Sequence, residues 1–174
     1  MNKRVHLTLS VFLLINVLIA QPGNLAVKVI LTDTDNMPQN IPYLGEKMLL
    51  LFYIDPDVSN INEPLFNALK DKNFSVLKFC TIGVVNCKDT WIPNTIIRTK
   101  SRQKQVLNPK SIILLDKNNS LARGWGLGNC DNRSVVIVVG KDSKIKFSQS
   151  IKSQEESKNS IPIVLKTIED SINQ

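Results

Sequence analysis

The 174-residue chain holds one histidine, His6, and three cysteines, Cys80, Cys87 and Cys130, with no Cys-x-x-Cys pair among them. Aromatic residues make up only 6%, and there are seven Gly and eight Pro. That scarcity excludes collagen-like and low-complexity classes. Beyond the first 20 residues no apolar run approaches the ~20 residues that span a bilayer. What is present is ordinary: 43% hydrophobic and 21% charged residues with a formal charge of +7. A chain of this length forms one domain with one core.

The N-terminus reads as a targeting segment. Met1-Asn2-Lys3-Arg4 gives a basic start, and residues 7–20 (LTLSVFLLINVLIA) are nearly all apolar. This is the layout of a secretory signal peptide, with cleavage expected between Ala20 and Gln21. Leu18 stands where a smaller residue is preferred, and an uncleaved anchor is the alternative. Cleavage removes Lys3, Arg4 and the single His, lowering the charge from +7 to +5. A His-free protein runs no Ser-His-Asp or Cys-His mechanism. Nor does it build the usual His-containing zinc site, and scattered Cys are a poor substitute. No cofactor or resident metal is expected.

The remaining chain alternates strands and helices. Residues 47–54 (KMLLLFYI) form a continuous apolar run between Gly45 and Asp55-Pro56-Asp57, as a strand buried on both faces does. Ile61, Leu65 and Leu69 then recur at helical spacing, with Asn60 or Asn62 as cap and Pro64 in the first turn. Residues 75–86 read as a strand with a twist or bulge near Gly83. Residues 92–106 hold basic residues and a short helix. Residues 111–116 (SIILLD) are a buried strand. Residues 134–139 and 144–149 flank Gly140-Lys141-Asp142-Ser143 as a β-hairpin. A last helix puts Ile161, Leu165, Ile168 and Ile172 on one face, with Ser160 as cap and Pro162 in its first turn. Its apolar face is expected to pack on the hairpin.

This order predicts an α/β fold with a sheet covered on both sides. The arrangement is thioredoxin-like: a three-layer sandwich with a central mixed sheet, a closing β-hairpin and a C-terminal helix. Residues 1–20 are the signal peptide, 21–43 an N-terminal strand (residues 26–31) with its connection, and 44–174 the thioredoxin-like domain.

A redox-active protein of that fold runs its first core strand into a Cys-x-x-Cys at a helix N-terminus, where the dipole and free N–H groups stabilise a thiolate. Here the strand runs into Asp55-Pro56-Asp57-Val58-Ser59-Asn60. The Pro usually found just before the hairpin is also missing from Asp131-Asn132-Arg133-Ser134. A thioredoxin-type activity is therefore not expected. Cys80 reads as a small core residue. Cys87 and Cys130 fall toward one edge of the sheet, and an oxidising compartment permits a Cys87–Cys130 disulfide. Three separate thiols are the preferred alternative, because spacing alone does not establish Cα proximity.

Cys80-Thr81-Ile82-Gly83-Val84-Val85-Asn86, with Asp89, Ile92 and Pro93 after it, is similar to the bacterial YtfJ family of exported thioredoxin-fold proteins. The similarity continues through residues 112–116, Leu121-Ala122-Arg123-Gly124-Trp125, residues 134–139 and the last helix, covering roughly residues 44–172. It implies a periplasmic protein on a thioredoxin-like frame without the dithiol, in a family with no settled activity. The Cys residues and the Lys- and Asn-rich surface depart from the family.

Two candidate ligand sites follow. Asp55, Asp57 and Asn60 stand at a strand's C-terminal end, where open sheets place ligands. Two carboxylates there would bind a cation or act as acid and base, but turn and capping chemistry is the preferred reading. Arg123 and Trp125 would offer a cation and aromatic platform, against the plainer reading of a buried Trp and a paired Arg. Arg98, Lys100, Arg102, Lys104 and Lys110 are basic without an intervening acid. After export their partner would be an anionic surface and not nucleic acid; a solvated face is the preferred reading. The expected role is non-catalytic binding of a peptide, protein or small ligand. An oxidoreductase using Cys87 and Cys130 is the alternative, and a regulatory protein the second.

Overall fold

The structure, a computed structural model, describes residues 20–172. The expected basic start, His6 and all but the last residue of the signal segment lie outside the described residues. Ala20 itself is buried, and its N–H donates to the carbonyl of Gly126 at 2.8 Å.

The elements in chain order are β1 (Ile30–Thr32), β2 (Pro38–Asn40), β3 (Met48–Ile54), α1 (Glu63–Lys72), β4 (Phe79–Asn86), α2 (Asn94–Leu107), β5 (Ile112–Asp116), α3 (Ser120–Gly124), β6 (Ser134–Val139), β7 (Ile145–Ile151) and α4 (Gln154–Ser171). They build one seven-stranded mixed sheet in the order β2-β1-β5-β4-β3-β6-β7. β3, β4 and β5 are mutually parallel, while β1, β6 and β7 join antiparallel. The central strand β3 is the KMLLLFYI run, and Leu49 to Tyr53 are fully buried because both its faces are covered. Burying each such side chain contributes roughly 1.5–3 kcal/mol.

The alternation along β3 sends Met48, Leu50 and Phe52 to one face and Leu49, Leu51 and Tyr53 to the other. The first set meets Leu65 of α1 and Val164 and Ile168 of α4. The second meets Leu121, Ala122, Trp125 and Leu127, with Ala26 and Leu31 from the N-terminal part. One layer is therefore built of α1, α2 and α4. The opposite layer is the short α3 with irregular chain.

Several local expectations need correction. The N-terminal strand is a small hairpin, β1 with β2, attached antiparallel to β5. Asn62 stands at the N-cap position of α1 but makes no capping bond; its Nδ2 donates to Ser134 Oγ at 2.6 Å instead. β4 pairs in register on both sides through Gly83, and the irregularity lies between Val138 and Val139. α2 is a full 14-residue helix. The last helix starts earlier than its sequence suggests, because Ser153 Oγ accepts from Glu156 N at 3.1 Å and Glu156 accepts in turn from Lys152 N. Pro162 is thus inside α4, and Val164 takes the core position expected of Leu165.

Candidate functional site

The C-terminal ends of the three parallel strands, with the loop before β6, carry a connected polar network. At the end of β3 the Asp55 backbone N–H donates to Arg133 O at 3.1 Å. Its side chain is fully buried: Oδ1 accepts from Asp57 N at 2.9 Å and Oδ2 from Asn132 N at 2.7 Å. Asp55 thereby caps the 3-10 turn Pro56–Val58 and fastens it to the loop before β6. Burial, the larger effect, raises its pKa above the usual carboxylate value although both accepted N–H bonds oppose the shift.

Asp57 is exposed and accepts from Thr90 Oγ1 at 3.1 Å. Asn60 is exposed, and its carbonyl accepts from Gln154 Nε2 at 3.2 Å. At the end of β4, buried Asn86 accepts from the N–H groups of Lys88 and Asp89 and donates to Asp89 Oδ2 at 3.1 Å. Asn119 Nδ2 donates to the same carboxylate. At the end of β5, Asp116 Oδ1 accepts from Ser120 N at 2.7 Å, and Oδ2 accepts from Leu121 N at 2.9 Å and Tyr53 Oη at 3.2 Å. These bonds hold the strand-end loops to one another. Burial first, then the neighbouring Asp116 charge, pushes the Tyr53 phenol upward, so it stays a donor.

The sequence-selected residues come together only in part. Asp55, Asp57 and Asn60 share the turn after β3, with Asp55 spent on the backbone and Asp57 and Asn60 facing solvent. Arg123 and Trp125 do not form a platform: Arg123 is exposed, whereas Trp125 is 4% exposed and its Nε1 donates to Val27 O at 2.8 Å. The indole belongs to the core because the N-terminal segment closes over it. The basic residues of α2 also separate. Arg98 and Arg102, one turn apart, border a cavity of about 660 Å³ beside Asp35, with which Arg102 pairs at 3.0 Å. Lys100 and Lys104 border a different groove.

The residue that sequence reasoning missed is Trp91. It is 85% exposed, in the loop after β4 next to the Thr90–Asp57 link. An exposed indole at a strand-end loop is a common recognition anchor. Its only signal in the sequence is its place between polar Thr90 and the Ile92-Pro93 pair.

All three cysteines are free thiols, and no Cys87–Cys130 bond joins two of them. Cys87 contacts Val85 O and Cys130 contacts Gly128 O, each sulfur turned to its own chain neighbourhood. Burial pushes the Cys87 thiol up to about 12, with the Asp116 charge adding to it. Burial and then the Asp89 charge push Cys130 up to about 11. Cys80 is raised by burial as well. A thiol held protonated is a poor nucleophile.

Residues 45–170 match a family described as "Bacterial protein of unknown function (YtfJ_HI0045)". No curated protein matches the chain. Among solved structures, a peroxiredoxin-like protein from Aquifex aeolicus is similar at 12% identity and TM-score 0.60, covering 86% of each chain. The thioredoxin domain of a thiol-disulfide oxidoreductase from Bacteroides vulgatus aligns at 13% identity and TM-score 0.53, over 83% of this chain and 97% of that one. An exposed lipoprotein thioredoxin from Streptococcus pneumoniae aligns at 12% and 0.54, over 71% and 88%. At these identities the likeness shows the fold alone, and that fold is thioredoxin-like.

Proposed function

The chain belongs to the YtfJ family of bacterial proteins of unknown function, and on that premise we propose that it is an exported, non-redox thioredoxin-fold protein that binds a peptide or protein partner. The observation that carries this reading is the turn after β3. Where an oxidoreductase of this fold presents its dithiol, this chain presents Asp55 bonded to two backbone N–H groups, then Asp57 and Asn60. The three thiols elsewhere sit in surroundings that favour the protonated form.

The recognition face in this reading is the rim of Asp57, Asn60 and Trp91, which offers hydrogen-bonding groups beside an exposed indole. Such a pairing suits a peptide carrying an apolar anchor and backbone polar groups. Export rests on the basic start and the apolar run of residues 7–20. Among the described residues no helix is long and apolar enough to cross a membrane.

Two measurements test the parts separately. Reduction of insulin by dithiothreitol should run no faster with the protein than without it; catalytic acceleration would overturn the non-redox reading. Mass spectrometry of the protein from its native cells should find the N-terminus at Gln21. An intact Met1 start on a protein located in the cytoplasm would overturn export.

A further inference from the structure

The layer of α1, α2 and α4 does not close over the sheet. α1 packs with α4, and α2 lies against β5, so the face of β4 between α1 and α2 is left open as a groove of about 1550 Å³. Ile82 and Val84 of β4 point into the opposite core. Phe79, Thr81, Gly83 and Val85 alternate with them and, with Ile113, form the groove floor. Phe66 of α1 and Ile97 of α2 stand on the walls.

The groove is electrically polar along its length. α1 and α2 both run back from the C-terminal to the N-terminal ends of the strands. Their last turns therefore place Lys70 and Lys104 at the end where β4 begins, beside Lys110 before β5 and Lys47 before β3, while Lys100 stands one turn further in along α2. Among the described residues, no ion pair engages Lys70, Lys104 or Lys110. The single acid lining the groove, Glu63, is in the first turn of α1 and so at the opposite end. From Phe79 to Val85 the floor extends about 20 Å.

We propose that this groove binds a long-chain fatty-acid anion, its carboxylate among Lys70, Lys104 and Lys110 and its acyl chain along β4. Charge complementarity at one end and a floor that is apolar but for Thr81 along the rest select a molecule with one anionic head and one apolar tail. An extended peptide is a poorer fit, because β4 already pairs with β3 and β5 on both sides and has no backbone groups to lend. An acidic amphipathic helix would distribute charge along its length, whereas four of the five lysines lining the groove, all but Lys100, gather at one end. The inference does not depend on the Trp91 rim or on the state of the thiols.

Gly83 supplies the test. A Cβ built there meets only Ile112 O, at 3.9 Å, which is ordinary van der Waals contact, so a side chain at this position projects into the groove. Val also suits a strand. Oleate below its micelle concentration is titrated calorimetrically into wild type, Gly83→Val and the Lys104→Glu/Lys110→Glu double variant, with thermal melts confirming that each is folded. Saturable binding of one oleate per chain is expected in wild type, weakened by about tenfold or more in each variant. No saturable binding to wild type, or affinity unchanged in folded Gly83→Val, overturns the proposal. Tighter binding of an acidic amphipathic helical peptide than of oleate in the same groove also overturns it.

Discussion

The phenol of Tyr53 donates to the carboxylate of Asp116 across 3.2 Å in the interior, joining the C-terminal ends of β3 and β5. Asp116 also accepts from the N–H groups of Ser120 and Leu121, which start α3. Tyr53→Phe removes one bond to a charged acceptor and should cost about 1.5 kcal/mol. Asp116→Ala removes the acceptor of three backbone N–H groups, those of Ser120, Leu121 and Ala122, and the nearer acceptor of the phenol, and should cost about 3 kcal/mol or more. Urea unfolding midpoints at unchanged slope measure both. Equal, negligible effects would mean that the network does not hold the strand ends.

Asp55 should behave as a structural tie. Asp55→Ala leaves the N–H groups of Asp57 and Asn132 without their acceptor and should destabilise the fold by about 2 kcal/mol. Amide hydrogen exchange should quicken at these two positions before it does in β4. Unchanged protection at Asn132 would contradict the tie.

Cys87 and Cys130 make stability fall at alkaline pH. Burial, first among the causes, pushes their thiols up to about 12 and about 11 from an ordinary value of 9.0. A folded-state value raised above the unfolded one gives stability that is complete below pH 9.0 and is lost as pH rises through 11 to 12. Denaturant midpoints taken from pH 8 upward should fall across that window. The decline should be shallower in Cys87→Ala, whatever its stability at pH 8. An identical slope in the variant would count against the buried thiol.

Trp91 and Trp125 should separate in fluorescence. The chain has two Trp, one 85% exposed and one 4% exposed. Trp91→Phe should remove the red-shifted, acrylamide-quenched component and change stability by no more than about 0.5 kcal/mol. Retention of strong quenching in the variant would place Trp125, not Trp91, in solvent.

The sheet is legible in the sequence because its strands are nearly uniform apolar runs. KMLLLFYI, SIILLD and SVVIVV each become a strand within one residue of the run. The helices are less so. Pro162 suggested a helix start, but the Ser153 and Glu156 capping bonds begin α4 two turns earlier, and tertiary burial of Val164 and Ile168 carries the helix past the proline. α2 has a polar surface over most of its length, which hid its extent. Asp55 and Asp57 flank Pro56 and read together in the sequence, yet their different burial depends on the distant loop at Asn132. The exposure of Trp91 and the burial of Trp125 likewise come from which segment closes over each, and single residue types do not carry that. The open face of β4 belongs to no local pattern, since it results from where two helices fail to meet.

The central claim is that this thioredoxin frame carries no working thiol. Alkylation by iodoacetamide of the native, prereduced protein at pH 8, followed site by site by mass spectrometry, tests it most directly. The account predicts that Cys87 and Cys130 react more slowly than a free cysteine in solution, and that no disulfide forms between them in a glutathione buffer. Rapid alkylation of either one, or a Cys87–Cys130 bond that exchanges with glutathione, would contradict it.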